Sequence, residues 1–276
     1  MKDREPTLTA AVTSIVVSVV VFWTLLVARG TSFAGVDPLK LAPFAVAGLA
    51  NPAAFRLLYF RSIDRIGARV SSAIVSANPA VATVLALPLL GEPFTVLTGV
   101  GLLCIMAGGV LLQLSGTDAD ETTDIITAEL GQMTARDLVL PITAMALLGC
   151  SFVLVKVGLN AYSKPLVATA VGQTAALVAF VGLFGVSSDS RRRVRISDRT
   201  ALVAFVFAGV FVTGNWLAWF SALQIGTVVT VVPLSNVYPL VIVALSYGLA
   251  RQFPKSPRVL TGITAIIAGA TLMQLS

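Results

Sequence analysis

Nine stretches of this 276-residue chain run for about twenty residues with almost no charge, and no other feature constrains the fold as tightly. They cover residues 8–28, 41–60, 70–90, 95–114, 138–159, 165–186, 200–222, 227–249 and 257–275. As an α-helix, a run of about 20 residues crosses a hydrocarbon core of roughly 30 Å. Inside lipid every backbone N–H and C=O must find its partner within the protein, which leaves only helices or a closed barrel. The runs are continuously apolar, without the alternation of a barrel strand. The fold class is therefore all-α, a polytopic transmembrane helical bundle of nine spans. Lys2 and Arg4 precede the first run as they would a signal peptide, but the run is long and lacks a small-residue cleavage site before Asp37.

Composition closes off other classes. Charged residues make up 12% of the chain, against roughly 25% in an ordinary soluble domain. With no His and only 13 Asp and Glu, most of the material for zinc sites, catalytic triads and acid–base chemistry is missing. Neither an enzyme nor a bound metal or other cofactor is expected. Cys104 and Cys150 each sit in an apolar run, where a thiol behaves as a small hydrophobe. Of the 19 Lys and Arg, 14 fall at one set of span ends, from Lys2 and Arg4 through Arg61, Arg65, Arg69 and Arg136 to residues 191–199 and 251–258. The other face holds only Arg29, Lys40, Lys156 and Lys164, with Arg56 inside a span. The positive-inside rule then puts the N-terminus in the cytoplasm and, after nine spans of a plasma membrane, the C-terminus outside. The lipid bilayer accounts for the basic balance, since these loops lie against anionic headgroups; no nucleic-acid partner is needed.

Sliding the chain against itself exposes a duplication. Gly48 meets Gly209, Pro93 meets Pro254, Gly101 meets Gly262, Gly108 meets Gly269, Gln113 meets Gln274 and Ser115 meets Ser276, each pair 161 residues apart. Pro79 and Pro239 follow at 160, and Gly67 and Gly226 at 159. Residues 1–115 form the first repeat and 138–276 the second, with an acidic connector over 116–137. Run 138–159 has no mate, because its counterpart would precede Met1. A complete unit has five helices, an odd number, so equivalent helices cross the membrane in opposite directions. This is the inverted-repeat plan of secondary transporters, in which substrate binds near the midplane and access alternates.

The stretch 68–115, with Ala77-Asn78-Pro79 in mid-span, Gly91-Glu92-Pro93 at a turn and Gly108-Gly109 near the end, resembles the EamA-type repeat of the drug/metabolite transporter superfamily. The second copy is similar in its residues 221–226, in Tyr238-Pro239 and in Gly262 to Gly269, and Gly149-Cys150-Ser151-Phe152 to Lys156 resembles the opening helix of such a repeat. The resemblance implies two inverted EamA-like halves, here of 4 + 5 helices, exporting a metabolite or amino acid as small-molecule substrate. Members of that superfamily typically have ten helices with both ends cytoplasmic, so this sequence departs by its first helix and by its charge-based orientation. Two other readings compete with the carrier: a lipid- or glycolipid-handling membrane component, and a truncated non-transporting relic or partner subunit.

Ionisable groups in hydrocarbon cost about 2.5–3.5 kcal/mol at a helix centre, so each needs a reason. Arg56 is expected to share a helix with Asn51 and Tyr59, and Lys156 lies near the end of its span. Each either attracts an anionic substrate or snorkels to the interface. No Asp or Glu falls inside a run, which favours facilitated or exchange transport over proton coupling; Glu92 at its turn reads as a loop or capping residue rather than a coupling group. Pro79 and Pro239 are expected to kink equivalent helices. Beside them, Ser76 and Asn78 in one copy and Ser235, Asn236 and Tyr238 in the other either bind substrate or satisfy their own helix. Asn215 and Trp219, four residues apart, either offer an amide and a ring to a ligand or leave Trp219, with Trp216, as an interface anchor, as Trp23 reads. Gly101, Gly108, Gly262 and Gly269 form small-residue stripes for close helix packing, within one chain or across a homodimer.

Overall fold

The computed structural model of the chain describes residues 6–31, 36–114, 134–186, 199–238, 240–241 and 257–275. Every element among them is helical: α1 (Pro6–Ala28), α2 (Pro38–Gly48), α3 (Phe55–Ile66), α4 (Ala68–Val75), α5 (Asn78–Leu90), α6 (Val96–Leu114), α7 (Ala135–Ala161), α8 (Pro165–Val186), α9 (Arg199–Ile225), α10 (Val228–Ser235) and α11 (Pro257–Gln274). Each apolar run carries a helix. Six helical stretches among the described residues are long and apolar enough to cross a membrane. Apolar side chains face outward as well as inward, unlike those of a soluble protein. Val27, Val178, Val181, Phe207 and Phe211 point outward, while Ser14, Ser18, Ser62, Ser71 and Thr213 are buried. Buried hydroxyls pair between helices, Ser18 with Thr213 at 2.9 Å and Ser62 with Ser71 at 2.7 Å. Such bonds contribute only about 0.6 kcal/mol each in a bilayer, but they fix which faces meet.

Contacts divide the chain into two compact units that do not follow the sequence halves: residues 1–54 with 154–225, and residues 55–153 with 226–276. Each unit draws on both repeats. In the first, α1 packs on α9 as α8 packs on α2, and these are equivalent pairs under the 161-residue offset. At the α2–α8 contact a Cβ on Gly48 would collide with the Gly172 carbonyl, so only glycine permits that approach. Trp23 donates its indole N–H to Thr174 Oγ1 at 3.0 Å, tying α1 to α8. α1 ends at a left-handed Gly30 (φ 60°), with Thr31 N–H donating to the Leu26 carbonyl and Gly30 N–H to that of Val27, the Schellman pattern that satisfies a helix C-terminus.

In the second unit α6 lies along α11. A Cβ on Gly101 would sit 2.7 Å from the Gly269 carbonyl, and one on Gly108 would sit 2.6 Å from that of Gly262. Gly101 is the copy of Gly262, and Gly108 of Gly269. The contact is thus reciprocal, and the rising number on one helix meets the falling number on the other. Equivalent helices run antiparallel, as a repeat of five spans requires, and the stripe closes within one chain.

Two expectations are revised. Asn51 does not share a helix with Arg56 and Tyr59: it is extended (φ −146°, ψ 119°) within a widened turn over Leu49–Ala54, and α3 starts afresh at Phe55. Pro52 has no N–H to donate into that turn, so the regular ladder cannot pass through it. Helices also outrun the apolar stretches. α3 continues to Ile66 and takes in Asp64, and α7 starts at Ala135 with Asp137 in its first turn, where Arg65 reaches it at 3.5 Å. Amphipathic turns at a span's end gain backbone bonds in the headgroup layer, where charge costs little. The connector up to residue 133, the basic segments 187–198 and 251–256, and Pro239 lie outside the described residues.

Candidate functional site

The span over residues 68–90 breaks where α4 ends at Val75 and α5 begins at Asn78. Pro79 is the cause. Lacking an N–H, it leaves the carbonyl four residues back, Val75 O, without its helical donor. The Asn78 side chain supplies the replacement, donating Nδ2 to Val75 O at 2.9 Å. Ala80 N–H bonds the Ala77 carbonyl instead of that of Ser76. Ser76 O is therefore released as well, and it is filled from the other repeat: Asn236 donates Nδ2 to it at 3.2 Å.

Asn236 occupies the matching break. α10 stops at Ser235, and Asn236 and Val237 turn tightly, donating to the Pro233 and Leu234 carbonyls. Ser76 and Asn236 are equivalent positions at the 160-residue offset, so this bond joins the two copies at the point that their symmetry maps onto itself. The remaining hydroxyls stay local: Ser76 Oγ donates to Ala73 O and Ser235 Oγ to Val232 O, both at 2.7 Å.

Glu92 fixes the far end of the same pair. Its carboxylate accepts from Val228 N–H at 2.8 Å and from Val229 N–H at 2.9 Å, capping the first turn of α10. An anion on two otherwise unbonded N–H groups is the favourable partner for a helix N-terminus. Glu92 is thus a capping residue, but for a helix of the other repeat. From Ser76 to Glu92 the chain advances, while from Asn236 to Val228 it goes back. The two broken spans cross antiparallel.

Around the break stand aromatic and polar groups of the same unit. Phe55 stacks on Tyr59 at 5.5 Å, and the Tyr59 side chain lies near Ser72 and Tyr238. Tyr238 is half exposed, and Arg56 is partly buried on the same helix as Tyr59. Asn78 is only 4% exposed, and its Oδ1 has no partner among the described residues. The Val75 carbonyl, which can only accept, fixes the amide's orientation and makes that orphan an acceptor.

Ser76, Asn78, Asn236, Tyr238, Tyr59 and Arg56 thus belong to one unit, while Asn51, Lys156, Asn215 and Trp219 belong to the other. Lys156 donates Nζ to the Leu223 carbonyl at 2.8 Å, placing a cation on the last turn of α9, where the helix dipole favours it. Trp219 packs edge-on against Trp216 and Phe220, and Asn215 is exposed. Sequence reasoning missed Ser72, although it lies one helical turn before Ser76.

The model of the EamA-like transporter family matches residues 1–114 and 137–275, both repeats in turn. Among solved structures, a protein known from a crystal structure superposes with a TM-score of 0.75 at 14% identity, over 99% of this chain and 89% of its own. At that identity the likeness shows the fold alone. No curated protein matches.

Proposed function

Because the chain belongs to the EamA-like transporter family, a family of multi-pass membrane transporters of small solutes, we propose that it is a secondary carrier working by alternating access between its inverted repeats. Its substrate is a small organic solute bearing a carboxylate and a hydrogen-bond donor, an amino acid or similar metabolite, moved outward across a plasma membrane with the N-terminus in the cytoplasm. The observation that carries this reading is the bond from Asn236 to the Ser76 carbonyl, which joins two equivalent helix breaks. A span interrupted there bends without breaking further ladder bonds. Two antiparallel copies of such a hinge can exchange conformations by the pseudo-two-fold relation of the repeats, which is what alternating access needs. The orphan Asn78 Oδ1 suits a solute ammonium or hydroxyl, since a buried unpaired acceptor costs about 1–3 kcal/mol until something donates to it. Tyr59 and Tyr238 supply hydroxyls, and Arg56 supplies the attraction for a carboxylate.

Purified protein screened for thermal stabilisation against amino acids, purines and sugars identifies the solute, because a ligand at 100 times its Kd adds about 2.7 kcal/mol. Counterflow of that solute in proteoliposomes then reports transport. Arg56→Ala is expected to abolish counterflow of a carboxylate-bearing solute while leaving a monodisperse protein. Unchanged kinetics in that variant, or stabilisation by no soluble ligand, would sink the reading. Orientation has its own check: in an otherwise cysteine-free protein, Arg193→Cys is expected to be labelled from the cytoplasm only.

A further inference from the structure

At one end of the first unit, the close of α1, the turn between α7 and α8 and the last turns of α9 surround an open cleft of about 760 Å³, within the roughly 300–1,000 Å³ of ordinary ligand sites. It contains Arg29 and Lys164, two of the four cations that the sequence leaves on its sparsely basic face, and no carboxylate is among its described lining residues. Lys164 directly precedes α8, and a lysine cannot accept a bond from the first turn. The first-turn N–H groups of Leu166 and Val167, both lining residues, receive no bond from the Lys164 side chain, and Pro165 has no N–H at all. The turn is held in place: Gln224 donates Nε2 to Ser163 Oγ at 2.8 Å and to its carbonyl at 3.1 Å, while the Lys164 ammonium sits 5.6 Å from the centre of the Tyr162 ring.

Two cations, a helix start and no acidic group among the described lining residues suit an oxyanion. What flanks it identifies the source of the anion. Leu26 and Leu217 line the cleft, and directly beside the lining residues Leu26 and Gln224 stand Val27 and Ile225, 77% and 89% exposed. In a membrane protein such residues face acyl chains, so the cleft opens next to lipid rather than only toward water. We propose that it binds the phosphate of an anionic phospholipid between Arg29 and Lys164, with the glycerol and upper acyl chain against Leu217 and the outward valine and isoleucine. The lipid is a bound component of the protein, not its cargo, so the site stands or falls apart from the transported solute.

Native mass spectrometry of the protein in neutral detergent tests this, with phosphatidylglycerol and phosphatidylcholine titrated side by side and melting followed in parallel. The unaltered protein is expected to retain phosphatidylglycerol in preference to phosphatidylcholine and to melt higher with it. Basic residues at an anionic membrane surface are worth about fivefold each in affinity, so the double variant R29Q/K164Q is expected to bind phosphatidylglycerol roughly twenty- to thirtyfold more weakly. The charge-keeping pair R29K/K164R is expected to retain most of the binding and guards against a folding defect in the glutamine variant. Equal retention of the two lipids by the unaltered protein overturns the proposal, as does undiminished phosphatidylglycerol binding in folded R29Q/K164Q. Full competition by millimolar inorganic phosphate or hexanoate would show a soluble-anion site and overturn the lipid assignment.

Discussion

Two antiparallel seams join equivalent helices within the second unit, and they are built from opposite materials. Along α6 and α11 the helices are unbroken, and the contact is glycine against carbonyl at Gly101, Gly108, Gly262 and Gly269. Where the span 68–90 meets α10, both helices are interrupted, and the contact is carried by hydrogen bonds from Asn236 and Glu92. Glycine seams gain from dispersion over a long, close contact that tolerates no shift, because every carbonyl sits where a Cβ would go. A polar seam rests on a few directional bonds that break and reform individually. One duplication has thus produced a rigid rib and, in the reading proposed above, a hinge.

That contrast breaks most readily at the rib. Gly101→Val places a Cβ 2.7 Å from the Gly269 carbonyl and 2.6 Å from Met273 Cγ. Backbone cannot withdraw as a side-chain tip can, so a loss of about 3 kcal/mol or more is expected, at or beyond the top of the overpacking range. It is read as a collapse of the monodisperse fraction and of the melting temperature. A variant that melts like the parent would show the helices to be farther apart than described.

Glu92→Gln comes next. One amide oxygen replaces a carboxylate that accepts two backbone bonds, so the cap keeps one neutral bond and loses its charge, at about 1–2 kcal/mol. Transport by this variant is expected to change more than its melting temperature does, because the cap holds one end of the proposed hinge. Equal melting and equal transport would remove Glu92 from the mechanism.

Asn236→Leu is the smallest change. Loss of a single interhelical bond is worth about 0.6 kcal/mol and at most about 1.7. Melting is expected to stay within a few degrees while the solute's counterflow rate falls severalfold, since the Ser76 carbonyl is left without a donor in one state. A large stability loss with unaltered transport would make this contact a rib as well.

Much of this was legible in the chain itself. Uninterrupted apolar runs located every helix among the described residues, since lipid leaves the backbone no alternative, and Pro79 marked a break because its missing N–H is a covalent fact. Span ends were less legible: Asp64 and Asp137 are helical because the headgroup layer accepts charge that the hydrocarbon core does not. Asn51 read as helical because Pro52 follows an apolar pattern that continues past it, and periodicity does not register where a ladder fails. For Asn78 the local reading holds, since its Nδ2 serves its own helix, while its Oδ1 has no partner among the described residues.

Sequence alone determined that the protein is a helical membrane bundle made of two related halves, because apolar length and a repeated ladder of Gly and Pro are properties of the covalent chain. Which residues meet across helices was decided only by tertiary structure. Glu92 caps a helix 136 residues away, Asn236 fills a carbonyl that Pro79 set free, and Lys156 settles on the end of α9. Each outcome depends on which unsatisfied backbone group folding brings within about 3 Å of a side chain able to complete it.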